Sequence, residues 1–184
     1  MSKMKEFFSK TYVHYAIVLG IVALSCGLLV GLTNYITAPI IEENLTKVEN
    51  QAYSEALPVA WKNYSIDERI DSAYLLGFVS GGKVVKNGQN VVGYVFKAGS
   101  TNAYGEITLI IAVDTNGVIK GVAEVSFSQT VNQTNSHQYI SELVNKNVKN
   151  GAPNSSLTSG ATYTKNLIAS LINGVNDSLA EVLK

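Results

Sequence analysis

Residues 155–164 read Ser-Ser-Leu-Thr-Ser-Gly-Ala-Thr-Tyr-Thr, a run of hydroxyl side chains broken by the small pair Gly160 and Ala161. Directly after it, Leu167, Ile168, Leu171, Ile172, Val175, Leu179, Val182 and Leu183 recur at helical spacing. That pattern predicts an amphipathic helix from residue 163 to the C-terminus. The hydroxyls thus stand at a helix N-terminus, where backbone N–H groups lack intrahelical acceptors and the positive end of the helix dipole lies. Two readings suit the position. Gly160 and Ala161 let the backbone approach an anion such as a phosphate, with Ser159, Thr162 and Thr164 supplying hydroxyls. Alternatively the Ser and Thr residues only cap the helix. Spacing alone does not separate the two.

Other chemistries have less to stand on. Beyond the N-terminal 41 residues His137 is the sole histidine, which leaves no histidine cluster for metal or triad chemistry there. Asp67, Glu68, Asp71, Asp114 and Glu124 are scattered, and neither a Gly-x-Gly-x-x-Gly nor a P-loop occurs. One cysteine, Cys26, excludes a disulfide framework and a four-thiolate cluster within the chain. The formal charge is zero, with no basic stripe, so a nucleic-acid partner is not expected.

The elements that must position the hydroxyl segment begin with a long apolar stretch. Only 15% of the 184 residues are charged, against about a quarter in an ordinary soluble domain. From Thr11 to Ile41 none is. A helix of about 20 apolar residues crosses the hydrocarbon of a bilayer, and the run is too long for the core of a cleaved signal peptide. Lys3, Lys5 and Lys10 precede it and Glu42 and Glu43 follow, which places the N-terminus in the cytoplasm and the rest outside. Tyr12, Tyr15 and Tyr35 suit the interfaces, and Pro39 is expected to bend the chain or restart it as a new helix. Ala23, Gly27 and Gly31 put small residues on one face, open to a neighbouring membrane helix. The chain is therefore divided into a cytoplasmic tail (1–11), a transmembrane helix (12–37), an amphipathic exit helix (38–58) and an extracytoplasmic domain (59–184).

In that domain, a polar loop with Trp61 precedes strand signals at Tyr74–Val79, Lys83–Lys86 and Asn90–Lys97, the last two joined by an Asn87-Gly88 turn. Tyr104–Val113 and Val118–Phe127 flank Asp114-Thr115-Asn116-Gly117, a second hairpin turn. Tyr139, Ile140, Leu143, Val144 and Val148 predict a helix over 136–149. The expected fold is α+β, an antiparallel sheet with helices packed on one side.

The order of these pieces is similar to a known family. Ser-Gly-Ala-Thr-x-Thr (159–164) before a closing helix resembles the flavinylation motif of the FMN-binding domain family. Asn34–Leu45, NYITAPIIEENL, resembles the membrane-exit segment of the G subunit of Rnf complexes and of the related C subunit of the sodium-translocating NADH:quinone reductase. Gly93-Tyr94-Val95-Phe96, the strand entry Tyr104-Gly105-Glu106-Ile107 and the turn Asp114–Gly117 follow in the same order. The resemblance implies FMN joined through its phosphate to Thr162, with Thr158, Ser159, Gly160, Ala161, Tyr163, Thr164, Tyr104 and Gly105 around it. It further implies an electron-relay subunit of a membrane ion-motive complex. The expected partners are other membrane subunits through the Gly27/Gly31 face and a flavin transferase for maturation.

Three positions depart from the family pattern. Ser156 stands where an aspartate is usual, Glu106 where a second glycine is usual, and Gln129-Thr130-Val131-Asn132-Gln133-Thr134 where Glu-Thr-x-Gly-Leu-Gly is usual. Two alternatives therefore stay open: a stand-alone extracytoplasmic flavoprotein, and a subunit that kept the fold but lost the flavin.

Overall fold

A computed structural model describes residues 11–66, 68–152 and 162–184. The chain divides into two compact units, Met1–Lys47 and Val48–Lys184. The first consists, over its described part, of a single helix, α1, which runs Thr11–Ala56 and so extends into the second unit. Among the described residues it is the one helix long and apolar enough to cross a membrane. Leu19, Leu24 and Leu29 point in three different directions around it, and all are about two-thirds exposed. A helix apolar on every side needs an apolar surround. The hydroxyls of Ser25, Thr33 and Thr37 fold back onto the carbonyls of Ile21, Leu29 and Thr33 at 2.8–2.9 Å, which hides three polar groups that hydrocarbon would penalise. Pro39 does not restart the helix, which continues unbroken to Ala56. Without an N–H, Pro39 leaves only the Tyr35 carbonyl lacking its usual donor, and one lost bond does not end a helix of this length.

The second unit is built on a four-stranded antiparallel meander in the order β1 (Val79–Asn87), β2 (Asn90–Asn102), β3 (Gly105–Asp114) and β4 (Ile119–Phe127). Two helices follow, α2 (Gln133–Glu142) and α3 (Thr162–Val182). Side chains on one sheet face, including Phe96, Ala98, Ile107, Leu109 and Ile111, pack with Leu167, Ile168, Leu171, Val175 and Leu179 of α3 and Tyr139 and Ile140 of α2. On the other face Val85, Val95, Ile110, Ala112 and Ala123 pack with Ala52, Tyr53 and Ala56 of α1 and with Trp61. Helices on one side only is therefore not what forms: the last turns of α1 cover the second face. The physical cause lies in β3, where Ile107 through Val113 are all buried, so neither face can be left to water. Burying each large aliphatic side chain is worth about 1.5–3 kcal/mol.

The α1 cover sits unusually close. A Cβ on Gly121 would lie 2.0 Å from the Ala56 carbonyl oxygen, and one on Gly93 would lie 2.4 Å from the Trp61 ring. Glu49 reaches Lys97 of β2 at 2.5 Å, and the Lys83 ammonium lies 4.3 Å from the centre of the Tyr53 ring. Burial, and then the nearby Glu49 carboxylate, push the Tyr53 phenol up to about 12 despite Arg69, so it stays neutral at every working pH.

Three element boundaries differ from the sequence expectation. Residues 72–74 form a helical turn, capped by the Asp71 side chain accepting from the Ala73 N–H, and the first strand begins at Val79. That strand then continues through Gly81 and Gly82 because Ser65, Glu68, Arg69 and Ile70 pair along its outer edge, with Ile70 N–H donating to Gly82 O and Val84 N–H to Glu68 O. Helix α2 stops at Glu142 because the chain turns to pair with the start of β4: Ile119 N–H donates to Lys146 O and Asn145 N–H to Ile119 O, both at 2.8 Å. Asn145 takes φ +68° to make that turn, a conformation asparagine tolerates.

The β3–β4 turn is held by Asp114, whose Oδ1 accepts from the N–H groups of Asn116 and Val118 at 2.9 Å while Lys120 lies 3.1 Å from Oδ2. Burial pushes this carboxyl up, but those N–H donors and Lys120 outweigh it and hold the group below the ordinary carboxylate range. A lowered native pKa adds stability above the unfolded value that is lost as pH falls through the native one. Asp114→Ala should therefore lower stability by about 1–2 kcal/mol near neutrality. The gap should close in acid, as followed by thermal unfolding across pH. Gly121→Ala should cost about 2 kcal/mol or more by forcing α1 off the sheet, read as a lowered melting temperature. The same change at Gly88, where nothing lies within 4 Å, should cost about 1 kcal/mol, from its φ of +62° alone.

Candidate functional site

Thr162 is the first residue of α3 and is exposed, as is Tyr163, whereas Thr164 is buried at 2% exposure. One turn of helix therefore presents two side chains outward and ties the third into the domain. The remaining residues of the motif, Thr158, Ser159, Gly160 and Ala161, and Ser156 before them, lie outside the described residues. The first turn of α3 carries no acidic residue, so no carboxylate of its own offsets the positive end of its dipole.

Tyr104 and Gly105, distant in sequence, come to the same place. The rings of Tyr104 and Tyr163 lie 5.0 Å apart between centroids, tilted by 44°, an aromatic contact beside Thr162. Gly105 follows at φ +136°, and a Cβ there would fall 2.2 Å from the Ser128 carbonyl oxygen. Of the candidate site residues, then, Tyr104, Gly105, Thr162, Tyr163 and Thr164 gather at one end of the sheet.

Two amides that the sequence reading did not select hold this end together. Gln129, fully buried, donates through Nε2 to Asn102 Oδ1 at 3.1 Å and to the Gly105 carbonyl at 2.5 Å. Its Oε1 accepts from the Thr164 hydroxyl at 3.1 Å. Asn102 Oδ1 also accepts the Tyr104 N–H at 2.8 Å, and Asn102 Nδ2 donates to the Tyr163 carbonyl at 3.5 Å. Three residues beyond Gln129, Asn132 adopts φ 50°, ψ 50° as the residue before α2. This is the position of the first glycine in the resembling family's motif, and asparagine is the side chain best able to replace glycine there. The second replacement, Thr134, lies within α2, where a glycine is not needed.

Among the described residues no group of three histidine, cysteine or acidic side chains could hold a metal ion. Glu124 lies 2.7 Å from His137 Nδ1, and the His137 ring packs 4.1 Å, centroid to centroid, from that of Phe127.

Comparison with known proteins adds two findings. The family model described as the RnfG N-terminal region matches residues 1–55. The G subunit of the Na(+)-translocating ferredoxin:NAD(+) oxidoreductase complex of Acetobacterium woodii is 28% identical over 124 residues, covering 62% of this chain and 59% of that relative. The aligned part thus spans about three-fifths of the relative's length.

Gly105→Ala tests the close packing of this end. It should cost about 2–3 kcal/mol by combining a disfavoured φ with a backbone collision, seen as a lowered melting temperature. Because the collision lies beside the Tyr104–Tyr163 pair, the near-ultraviolet circular dichroism of those tyrosines should change with it.

Proposed function

We propose, from the premise that this chain is an RnfG-like protein, that it serves as the electron-relay subunit of a membrane ion-motive electron-transport complex and carries FMN esterified through its phosphate to Thr162. The observation that carries the reading is the exposed Thr162 hydroxyl on the first turn of α3, anchored from behind by buried Thr164 and flanked by Tyr163 and Tyr104. These residues fit the group. An esterified oxygen has to be accessible, and a phosphate has to meet unpaired N–H groups rather than carboxylates.

In this reading Thr162 Oγ1 is the ester oxygen and the N–H groups of the first turn face the phosphate. Thr158, Ser159, Gly160 and Ala161 shape the approach of the preceding backbone. Thr164 is turned away and fixes the helix start, while Tyr104 and Tyr163 offer an aromatic shoulder to a planar ring. When bound, the isoalloxazine supplies the electron chemistry, and the protein supplies position. The span 12–37 crosses the cell membrane with residues 1–11 in the cytoplasm and 59–184 outside, where a covalent link prevents loss of the cofactor. The Gly27/Gly31 face packs against a membrane helix of another subunit, and a flavin transferase attaches the FMN.

Ser156, in place of the family's aspartate, favours a second reading, a subunit that retains the fold without flavin. The absorbance of purified protein separates the two. The stand-alone flavoprotein is separated by co-purification with partner membrane subunits. For the main reading, protein co-produced with its flavin transferase should keep flavin fluorescence on a denaturing gel. Thr162→Ala should abolish that fluorescence and Ser156→Asp should raise it. A non-fluorescent wild-type band would count against covalent attachment.

A further inference from the structure

The bond pattern around Gln129 is directional. Asn102 Oδ1 and the Gly105 carbonyl are both acceptors, so residue 129 has to donate twice at that end. The Thr164 hydroxyl donates, so the same side chain has to accept at the other. A primary amide of glutamine length meets both demands at once. A carboxylate would offer no donor and would place a buried negative charge against two oxygens, and an apolar side chain would remove all three bonds, leaving Asn102 Oδ1 with the Tyr104 N–H alone. The main chain of Gln129 joins the same assembly, since its carbonyl accepts from Gln133 Nε2 at 2.7 Å. Next to it, Thr130 N–H donates to the Tyr104 carbonyl at 2.9 Å.

We propose that Gln129, with Asn102, is the positioning residue that locks the first turn of α3 to the β2–β3 hairpin and so sets where the Thr162 hydroxyl and the Tyr104–Tyr163 pair stand. It acts through Thr164 and Gly105 and touches neither Thr162 nor a cofactor. The sheet and α3 are held by their own apolar core, in which Phe96, Ile111 and Ile168 are fully buried. The amide therefore governs the local geometry of one end rather than the fold.

The test uses the full chain in detergent, in two arms. Unmodified protein, made without a flavin transferase, is followed by hydrogen exchange. Gln129→Met preserves shape and removes the three bonds. The amides of Tyr104, Thr130 and residues 166–168 should exchange about tenfold faster or more, while those of Ile110–Val113 keep their wild-type rates. Thr164→Val, which removes one bond, should accelerate the same amides by less. If Gln129→Met does not fold, Thr164→Val decides by the same comparison. Unchanged rates at 166–168 would overturn the proposal, as would equal acceleration throughout β3, the mark of a residue that only fills the core.

The second arm rests on the flavin reading. In labelling by the transferase, both variants should lower the turnover for FMN attachment by about tenfold without raising the KM for the flavin donor. Wild-type turnover in both would overturn the positioning role. If wild-type protein takes no label at all, the flavin reading fails, and the exchange arm still decides the clamp.

Discussion

A four-stranded sheet whose third strand is buried along both faces has to be covered twice, and the rest of the second unit follows from that requirement. Ile107, Leu109 and Ile111 demand a cover on one side, Ile110 and Ala112 on the other. The apolar stripe of α3 supplies the first cover and the end of α1 with Trp61 supplies the second. The second cover approaches to backbone contact, because Gly93 and Gly121 remove the side chains that would hold it off.

Once α3 is committed to the β2 and β3 face, its N-terminus is carried to the β2–β3 hairpin. This brings a helix start and a tight turn, separated by about 60 residues of chain, into contact. Buried polar groups at such a junction have to be paired. Among the described residues, no buried side-chain nitrogen or oxygen lacks a hydrogen-bond partner. Gln129 and Asn102 do this at the junction, and they leave Thr162 and Tyr163 facing outward.

Much of this was legible in the residues, for reasons that can be named. The charge-free run to Ile41, the Asn87-Gly88 and Asp114–Gly117 turns and the apolar stripe of the last helix each carry a strong local period or turn signal, and each formed. The second sheet cover was visible only indirectly: the continuous apolar run of β3 departs from the alternation of a one-faced sheet, but no local pattern says which segment covers it. The early end of α2 depended on Asn145 and Lys146 pairing with Ile119, a non-local contact that periodicity cannot report. At the site, Thr162, Thr164, Tyr104 and Gly105 could be selected through the motif that contains them. Gln129 could not, because a glutamine in a polar stretch looks like surface until the fold buries it. The resembling family's motif has a glutamate at the corresponding position, so resemblance marked the place as a departure without showing what the amide does there.

The role proposed for the start of α3 is to hold a phosphate ester at the Thr162 hydroxyl. The most direct measurement is tandem mass spectrometry on the tryptic peptide between Lys149 and Lys165, taken from protein co-produced with its flavin transferase. Attachment at Thr162 predicts the added mass of one FMN, less water, with fragment ions placing it on Thr162. An unmodified peptide, or the same mass placed on Thr158, Ser159 or Thr164, would contradict it.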